Sequence, residues 1–188
     1  MMILEEMDSP IGGVLLVSQG GVLCALDFAG YRARMEKLLA RHHGRVTLHA
    51  VAGTTDFARR LQDYFAGALR AVEGIRTAET GTPFEREVWT ALRAIPPGEA
   101  RTYAALAASI GRPRAVRAVG GANARNPIAI VQPCHRVIGA GEDLTGYAAG
   151  LERKRWLLEH EGYHPAPGTP SARLTSWPDA RRSTGFQL

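Results

Sequence analysis

Residues 102–124 read TYAALAASIGRPRAVRAVGGANA and contain two short helical segments on either side of a turn. The apolar side chains of the first segment recur at helical spacing and are Tyr103, Leu106, Ala107 and Ile110. Gly111-Arg112-Pro113 interrupts this pattern, and residues 114–124 form a second segment made largely of Ala, Gly and Arg. Two helices joined by so short a turn are typical of a helix-turn-helix motif.

A third helix is predicted upstream of this pair. Thr82-Pro83-Phe84-Glu85 has the pattern of a capping box with proline at the first helical position. The apolar positions that follow at helical spacing are Phe84, Val88, Trp89 and Leu92. Because they share one side of a helix, we expect these aromatic rings to lie in the core rather than to stack on nucleobases.

Downstream of the pair, the sequence predicts a strand over residues 128–131, a turn over residues 139–143 and a helix over Leu151–His160. The last residues, 165–188, are rich in Pro, Ser, Thr and Arg and have no periodicity. This composition indicates a loosely held tail.

The N-terminal part has the pattern of a small α+β unit, residues 1–76, with a linker near residues 74–81. Its first 30 residues alternate between turn signals, which predicts a meander of three short strands. Simple alternation places Cys24 in the core on the same face as Val22, Leu26 and Phe28. Helical spacing follows over residues 31–42 and 55–66. The second helix has Thr54 or Thr55 as its cap and, as its inward side chains, Phe57, Leu61 and Phe65.

The composition is that of a basic globular chain, with 45% hydrophobic residues, a formal net charge of +5 and a pI of about 9.7. This charge fits a polyanionic partner, either a nucleic acid or a membrane surface. No apolar run is long enough to span a bilayer, and the N-terminus lacks the features of a secretory signal. We therefore expect a cytoplasmic protein with no membrane attachment.

Only two cysteines are present, Cys24 and Cys134, too few for a disulfide framework or a cysteine-based zinc site. We expect the histidines His42, His43 and His49 at the surface, so no metal and no cofactor is predicted. Cys134 is therefore expected to be a free thiol.

Cys134 lies in the segment PCHRV, residues 133–137, beside an imidazole and a guanidinium. A thiol reacts as the thiolate, which cationic or proton-accepting neighbours such as His135 and Arg136 favour. A cysteine in an apolar segment is also compatible with a small core residue. On this pentapeptide alone both interpretations remain open.

Five segments between residues 81 and 162 extend the motif in one unbroken order: GTPFEREVW, IPPGEARTYAALAASIGRPRAVRAVGGANARNP, PCHRV, LTGYAAG and KRWLLEHEG. Together they resemble the O6-alkylguanine-DNA alkyltransferases, which move an alkyl group from damaged guanine onto their own cysteine. The segment MDSPIGGVLLVSQGGVLCALDF, residues 7–28, is also similar to that family. The resemblance implies an α+β fold with a small ribonuclease-H-like α/β domain, residues 1–76. It also implies a winged-helix-like domain, residues 77–164, that carries the helix-turn-helix motif and the active site.

The resemblance implies four catalytic side chains. Glu161 would orient His135, and His135 would act through a water on Cys134. Cys134 would then attack the alkyl carbon in line and retain the alkyl group as a thioether, so that each molecule reacts once. Tyr103 would help to rotate the target phosphate and donate a proton to guanine N3. From the residues alone, Tyr103 is also compatible with an amphipathic core tyrosine.

The resemblance also implies that the second helix of the pair enters the minor groove of double-stranded DNA, where small side chains permit a close approach. Arg117 would fill the space that the extruded nucleotide leaves. The residues implied to lie against DNA are Tyr103, Arg117, Ala118, Gly121, Ala122 and Arg125. Without the resemblance, the Ala and Gly positions are as typical of close packing against another helix.

Four residues correspond to the substrate pocket of the family. Asn126 would brace the Cys134 loop, although an Asn before Pro also suits a helix end. The backbone carbonyl of Val137 would accept from the exocyclic amine of guanine. Tyr147 and Ala148 would form the pocket loop, with the backbone N–H of Ala148 facing O6.

Two features depart from most relatives. Gln132 stands where Val or Ile is usual, and Ala148-Ala149 replaces a glycine-rich pair. Ala129 occupies a position where relatives that react readily with O6-benzylguanine often present a proline face. We expect a narrow pocket that admits free O6-benzylguanine poorly.

The implied partner is double-stranded DNA containing O6-alkylguanine, with O4-methylthymine as a second lesion, bound by a monomer. Three alternatives remain. A lesion-binding relative without repair activity would lack the nucleophile, whereas Cys134 is present. A helix-turn-helix regulator would need longer polar side chains for the major groove. A Cys-His hydrolase would need an acyl pocket, for which the sequence gives no sign.

Overall fold

The computed structural model describes residues 1–51 and 54–164 of the chain. These residues form a mixed α/β fold that combines a four-stranded sheet with α-helices. The tail predicted over residues 165–188 lies outside the described residues. Within the described ranges, no helix is long and apolar enough to cross a membrane.

The sheet contains the predicted meander and one further strand. Its strands are β1 (Met2–Met7), β2 (Val14–Gln19), β3 (Val22–Phe28) and β4 (Leu48–Ala50). The order is β3-β2-β1-β4, in which the meander pairs are antiparallel and β4 runs parallel to β1. The three-residue β4 escaped prediction because so short and largely exposed a segment shows no alternation.

Helices cover both faces of the sheet. On one face, Met35 and Leu39 of α1 (Arg32–His43) pack against the strands. On the other face lie the buried residues of α2 (Asp56–Phe65), among them Leu61 and Tyr64. The hydroxyl of Thr55 accepts the N–H of Ala58, so Thr55 rather than Thr54 caps α2. Phe57 and Phe65 are only partly buried against the same cluster.

The predicted face of Cys24 is wrong. The ladder between β2 and β3 shifts register at this point, so that Leu23 and Ala25 pair with β2 and Cys24 does not. Such a bulge reverses the alternation of side chains along a strand. Cys24 is therefore buried on the α1 face, whereas Leu26 and Phe28 belong to the opposite cluster.

The predicted helices of the C-terminal half are confirmed as α3 (Pro83–Arg93), α4 (Tyr103–Ser109), α5 (Val116–Ala124) and α6 (Leu151–His160). The capping box is also confirmed. Thr82 Oγ1 accepts the N–H of Glu85 at 3.2 Å, and the Glu85 carboxylate accepts the N–H of Thr82 at 3.0 Å. Trp89 lies in the core, where its indole N–H donates to the carbonyl of Ala122 at 2.9 Å.

The predicted strand over residues 128–131 is wrong. Only Ile128 forms a bridge, to Leu26 of β3. The chain then turns, and Ile130 adopts a φ of 67°, a conformation that β-branched residues rarely occupy. The paired strands of this half are instead β5 (Arg101–Thr102) and β6 (Val137–Ile138), which run parallel.

The two halves of the chain share one hydrophobic cluster. Leu26 and Leu61 from the first half pack in the same cluster as Ile128, Ile130 and Leu157 from the second. The apolar turn before Cys134 is therefore fixed against the N-terminal sheet. This shared core sets the position of the cysteine relative to α2.

Candidate active site

Cys134 begins a single 3-10 turn, Cys134–Arg136, that follows Pro133. Its side chain is a free thiol with only 7% of the residue exposed, and its N–H donates to the carbonyl of Gln132 at 2.7 Å. Burial raises the pKa of the Cys134 thiol, while a hydrogen bond from Asn126 and the charges of Arg34 and Lys154 oppose that rise.

His135 and Glu161 form a completely buried pair, with His135 Nε2 3.0 Å from Glu161 Oε1. Burial lowers the pKa of His135, against the opposing effect of the Glu161 carboxylate. The imidazole is therefore neutral at neutral pH. Its other nitrogen, Nδ1, is buried and has no hydrogen-bond partner among the described residues. A neutral imidazole with one nitrogen anchored and the other unoccupied can accept a proton.

Glu161 accepts further hydrogen bonds that the sequence did not predict. Arg136 donates to both carboxylate oxygens, at 2.8 and 2.7 Å, and the hydroxyl of Tyr64 donates at 2.7 Å. Burial alone would raise the pKa of Glu161, but His135 and Arg136 outweigh it and hold this pKa well below its usual range. The carboxylate is therefore permanently charged.

Lys154 is a second unpredicted member of the site. It is completely buried, and its Nζ donates to the carbonyls of Val137 at 2.5 Å and Thr145 at 2.7 Å. Burial lowers the pKa of Lys154 to about 8, while the charge of Cys134 acts to raise it. The carbonyl expected to accept from guanine thus already accepts one hydrogen bond from a lysine.

Two asparagines hold the Cys134 loop. Asn126 Nδ2 donates to the carbonyl of Gln132 at 2.7 Å, and its Oδ1 accepts the N–H of Ile128 at 3.0 Å. Asn123, which was not predicted, is also buried and donates to the carbonyl of Cys134 at 3.4 Å. The turn that carries the thiol is therefore anchored by side chains on both sides.

The cavity beside Cys134 is nearly closed, with a volume of about 10 Å³. The predicted pocket residues Tyr147 and Ala148 line it, whereas Asn126 and Val137 do not. Other lining residues are Arg34, Asn123, Ala129 and Ala149. A space of this size holds about one water and no purine. A base can enter only if the lining moves outward.

The residues expected to contact DNA differ in their exposure to solvent. Tyr103 is partly buried at the start of α4, with its hydroxyl 3.3 Å from the carbonyl of Gly146, and burial raises its pKa. Arg117 and Ala118 are exposed on α5. Ala122, by contrast, has its side chain completely buried against the core.

Arg125 and Gly121 lie at the end of α5. Arg125 Nε donates to Glu85 Oε1 at 2.6 Å, and a Cβ added at Gly121 would lie 3.1 Å from the Arg125 guanidinium. The Arg125 side chain therefore covers Gly121 and is tied to α3.

Of the three histidines expected at the surface, only His49 is exposed. His42 and His43 are partly buried, and the His42 ring packs edge-on against Trp89 with centroids 5.9 Å apart. Within residues 1–51 and 54–164, no group of three or more His, Cys, Asp or Glu side chains is placed to hold a metal ion.

Comparison with known proteins places this site in a family. Residues 83–163 match the model of the 6-O-methylguanine DNA methyltransferase DNA-binding domain. The methylated-DNA–protein-cysteine methyltransferase of Salmonella typhimurium is 50% identical over 162 residues, 85% of this chain and 95% of that protein. The Methanosarcina acetivorans protein of the same name is 56% identical over 158 residues, 82% of this chain and 95% of that protein.

Solved structures agree. Mycobacterium tuberculosis OGT in complex with DNA is similar, with a TM-score of 0.71 and 40% identity, over 87% of this chain and 96% of that one. The Pyrococcus kodakaraensis O6-methylguanine-DNA methyltransferase has a TM-score of 0.63 and 27% identity, over 86% of this chain and 99% of that one. A buried thiol beside a His-Glu pair, with identity of this extent, shows that the chain belongs to the methylated-DNA–protein-cysteine methyltransferase family.

Proposed function

We propose that this protein repairs alkylated DNA by direct reversal, transferring the alkyl group of O6-methylguanine, and of O4-methylthymine, in duplex DNA to its own Cys134. The observation that carries the proposal is the buried His135–Glu161 pair next to a free buried thiol. Nucleophile, base and orienting carboxylate are thus supplied by two short segments of chain.

The reaction begins with proton transfer from the Cys134 thiol to Nδ1 of His135, through one water. Glu161 stabilises the resulting imidazolium, and its permanent charge makes it suited to that role. The thiolate then attacks the alkyl carbon; a carbon–sulfur bond forms and the bond between that carbon and O6 breaks. Tyr103 donates a proton to N3 of the departing purine, which offsets the negative charge left on the base.

Duplex DNA lies along α5. Arg117 is exposed and occupies the space of the extruded nucleotide, while Ala118 permits a close approach of the helix to the minor groove. Ala118 and Ala124 are both exposed on α5. Such small side chains suit a minor-groove contact, whereas a regulator that reads bases in the major groove needs long polar side chains. The flipped base enters the cavity beside Cys134, which the loop of Tyr147 and Ala148 lines.

The product is a thioether, which no group in this site can cleave, so the protein acts once. We further propose a ribonuclease-H-like domain at residues 1–76, supported by the sheet order, and a winged-helix-like domain at residues 77–164, supported by the β5–β6 pair beside the helix-turn-helix. A monomer in the cytoplasm, with its two thiols free, is the form in which we expect it to work.

Intact mass after incubation with a duplex containing O6-methylguanine tests this function. One methyl group, roughly 14 Da, should appear on the peptide that contains Cys134. Cys134→Ser should abolish the gain, and Cys24→Ala, which alters the other buried thiol, should retain it. Repair of more lesions than there are protein molecules would contradict the proposal.

A further inference from the structure

A cleft of about 790 Å³ lies between α3 and the segment of residues 74–80. Its volume is that of a typical small-molecule site, far larger than the cavity beside Cys134. The two spaces have no lining residue in common. The cleft is therefore distinct from the alkyl-transfer site.

Its walls carry three arginines, Arg76, Arg86 and Arg93, against one carboxylate, Glu79. Arg93 donates to Thr77 Oγ1 and to the carbonyl of Ile75, both at 3.0 Å, and Arg86 donates to a backbone carbonyl at 2.6 Å. These acceptors are neutral, and none of the three arginines forms an ion pair within the described part of the chain. The guanidinium groups of Arg86 and Arg93 are thus positioned while their charge is left without an ion-pair partner, which favours an anion.

The cleft also contains a buried amide, that of Gln132, which could bind an uncharged part of a ligand. Gln132 lines the cleft and is only 5% exposed, and its Oε1 has no hydrogen-bond partner among the described residues. The Gln132 carbonyl accepts hydrogen bonds at 2.7 Å from the Cys134 N–H and from Asn126 Nδ2, which fixes the main chain of Gln132 at the wall of the cleft. A buried acceptor without a donor is unfavourable, and a turn of the Gln132 side chain into the cleft would let a ligand N–H or O–H satisfy it.

The spacing of the arginines limits the size of the anion. Arg86 and Arg93 are seven residues apart on α3, about 10 Å along the axis, and their guanidinium groups are anchored to different segments, at Gly81 and at residues 75–77. A single phosphate is too small to reach both. We propose that the cleft binds a nucleoside diphosphate or triphosphate, with its phosphates on the arginines and its base or sugar donating to Gln132 Oε1.

Calorimetric titration of the full chain with ADP, adenosine and pyrophosphate, without DNA, tests this site. ADP should bind saturably with one site per chain, and adenosine at least tenfold more weakly. Arg86→Gln and Arg76→Gln should each weaken ADP binding about tenfold, the effect of one charge-assisted hydrogen bond. Gln132→Val should weaken ADP binding while leaving pyrophosphate binding unchanged. Arg114→Gln, at an exposed arginine outside the cleft, is the matched control.

Absence of saturable ADP binding would overturn the proposal. A second result would also overturn it. If Arg86→Gln lost affinity for undamaged duplex DNA as much as for ADP, and if that duplex displaced ADP, the cleft would belong to the DNA interface. Thermal unfolding checks that each variant is folded. If Gln132→Val does not fold, ADP binding by the two arginine variants still tests the site. Because no alkylated DNA is used, the outcome is independent of the repair reaction.

Discussion

The hydroxyl of Tyr64 donates a 2.7 Å hydrogen bond to Glu161 Oε1, the same oxygen that accepts from His135. Tyr64 lies on α2, 97 residues before Glu161, and is completely buried. A helix of the N-terminal half therefore helps to orient the carboxylate of the active site. The N-terminal half thus contacts the Glu161 carboxylate directly as well as supporting the fold.

Tyr64→Phe removes this donor and little else. We expect the free energy of unfolding to fall by about 1.5 to 3 kcal/mol, because the acceptor is charged. Alkyl transfer should slow less than tenfold, since Arg136 still holds Glu161. With one donor fewer, the carboxylate raises the pKa of His135, and the acid limb of the rate profile should move to higher pH.

Urea unfolding and single-turnover methyl transfer across pH measure these effects. Tyr163→Phe is the control, because Tyr163 is only partly buried and its hydroxyl is not among the donors to Glu161, which within the described residues are Tyr64, His135 and Arg136. An acid limb that stays in place in Tyr64→Phe, despite the loss of stability, would show that Tyr64 supports only the fold.

Arg117→Ala should separate base extrusion from chemistry. If Arg117 holds the extruded state, its loss should slow repair of duplex DNA by tenfold or more, because extrusion costs a few kcal/mol. Reaction with free O6-methylguanine should change little. Arg114→Ala is a suitable control, since Arg114 is exposed just before α5. Equal losses on both substrates would instead assign Arg117 to the fold.

Lys154 should titrate with a pKa of about 8, against an ordinary value of 10.5. The chain has one other lysine, so Lys37→Arg gives a protein in which ¹³C-labelled lysine reports Lys154 alone. Methylation of Cys134 removes a thiol whose ionised form acts to raise this pKa, so the pKa of Lys154 should fall or stay unchanged and should not rise. A titration near 10.5 by NMR would contradict the burial argument.

The same shift predicts a stability effect. Because the folded pKa lies below the unfolded one, the unfolded chain binds more protons between pH 8 and pH 10.5. The contribution of Lys154 to the free energy of unfolding therefore increases as the pH rises through that window.

Local patterns in the sequence predicted the elements whose periodicity is complete within one segment. The capping box at Thr82 and the helix pair around Gly111 are examples. Features that depend on distant contacts were missed. The bulge at Cys24 reverses a strand face, and the positive φ of Ile130 turns an apolar run that has the composition of a strand.

The candidate site likewise contains residues that the sequence predicted and residues that only the structure reveals. Cys134 and His135 are adjacent in a recognisable motif, and the family resemblance predicted the pairing of His135 with Glu161. Tyr64 and Lys154 lie on helices at positions where a tyrosine or a lysine is usually amphipathic or exposed. Only the folded chain shows that both are buried against charged or carbonyl groups, because their partners come from other segments.

Free O6-benzylguanine should be a poor inactivator compared with methylated duplex DNA. Ala129 and Ala149, 3% and 1% exposed, line a cavity of about 10 Å³ beside Cys134, so a benzyl ring meets methyl groups where it needs space. A lost apolar contact or a clash of this kind is worth about 1 to 3 kcal/mol. With duplex DNA bound as proposed, contacts along α5 would supply binding energy that opens the pocket, and the free base would make no such contacts. The measurement is methyl-transfer capacity that survives treatment with micromolar O6-benzylguanine. Ala149→Gly should increase sensitivity, and complete inactivation of the unmodified chain within minutes would refute the crowding argument.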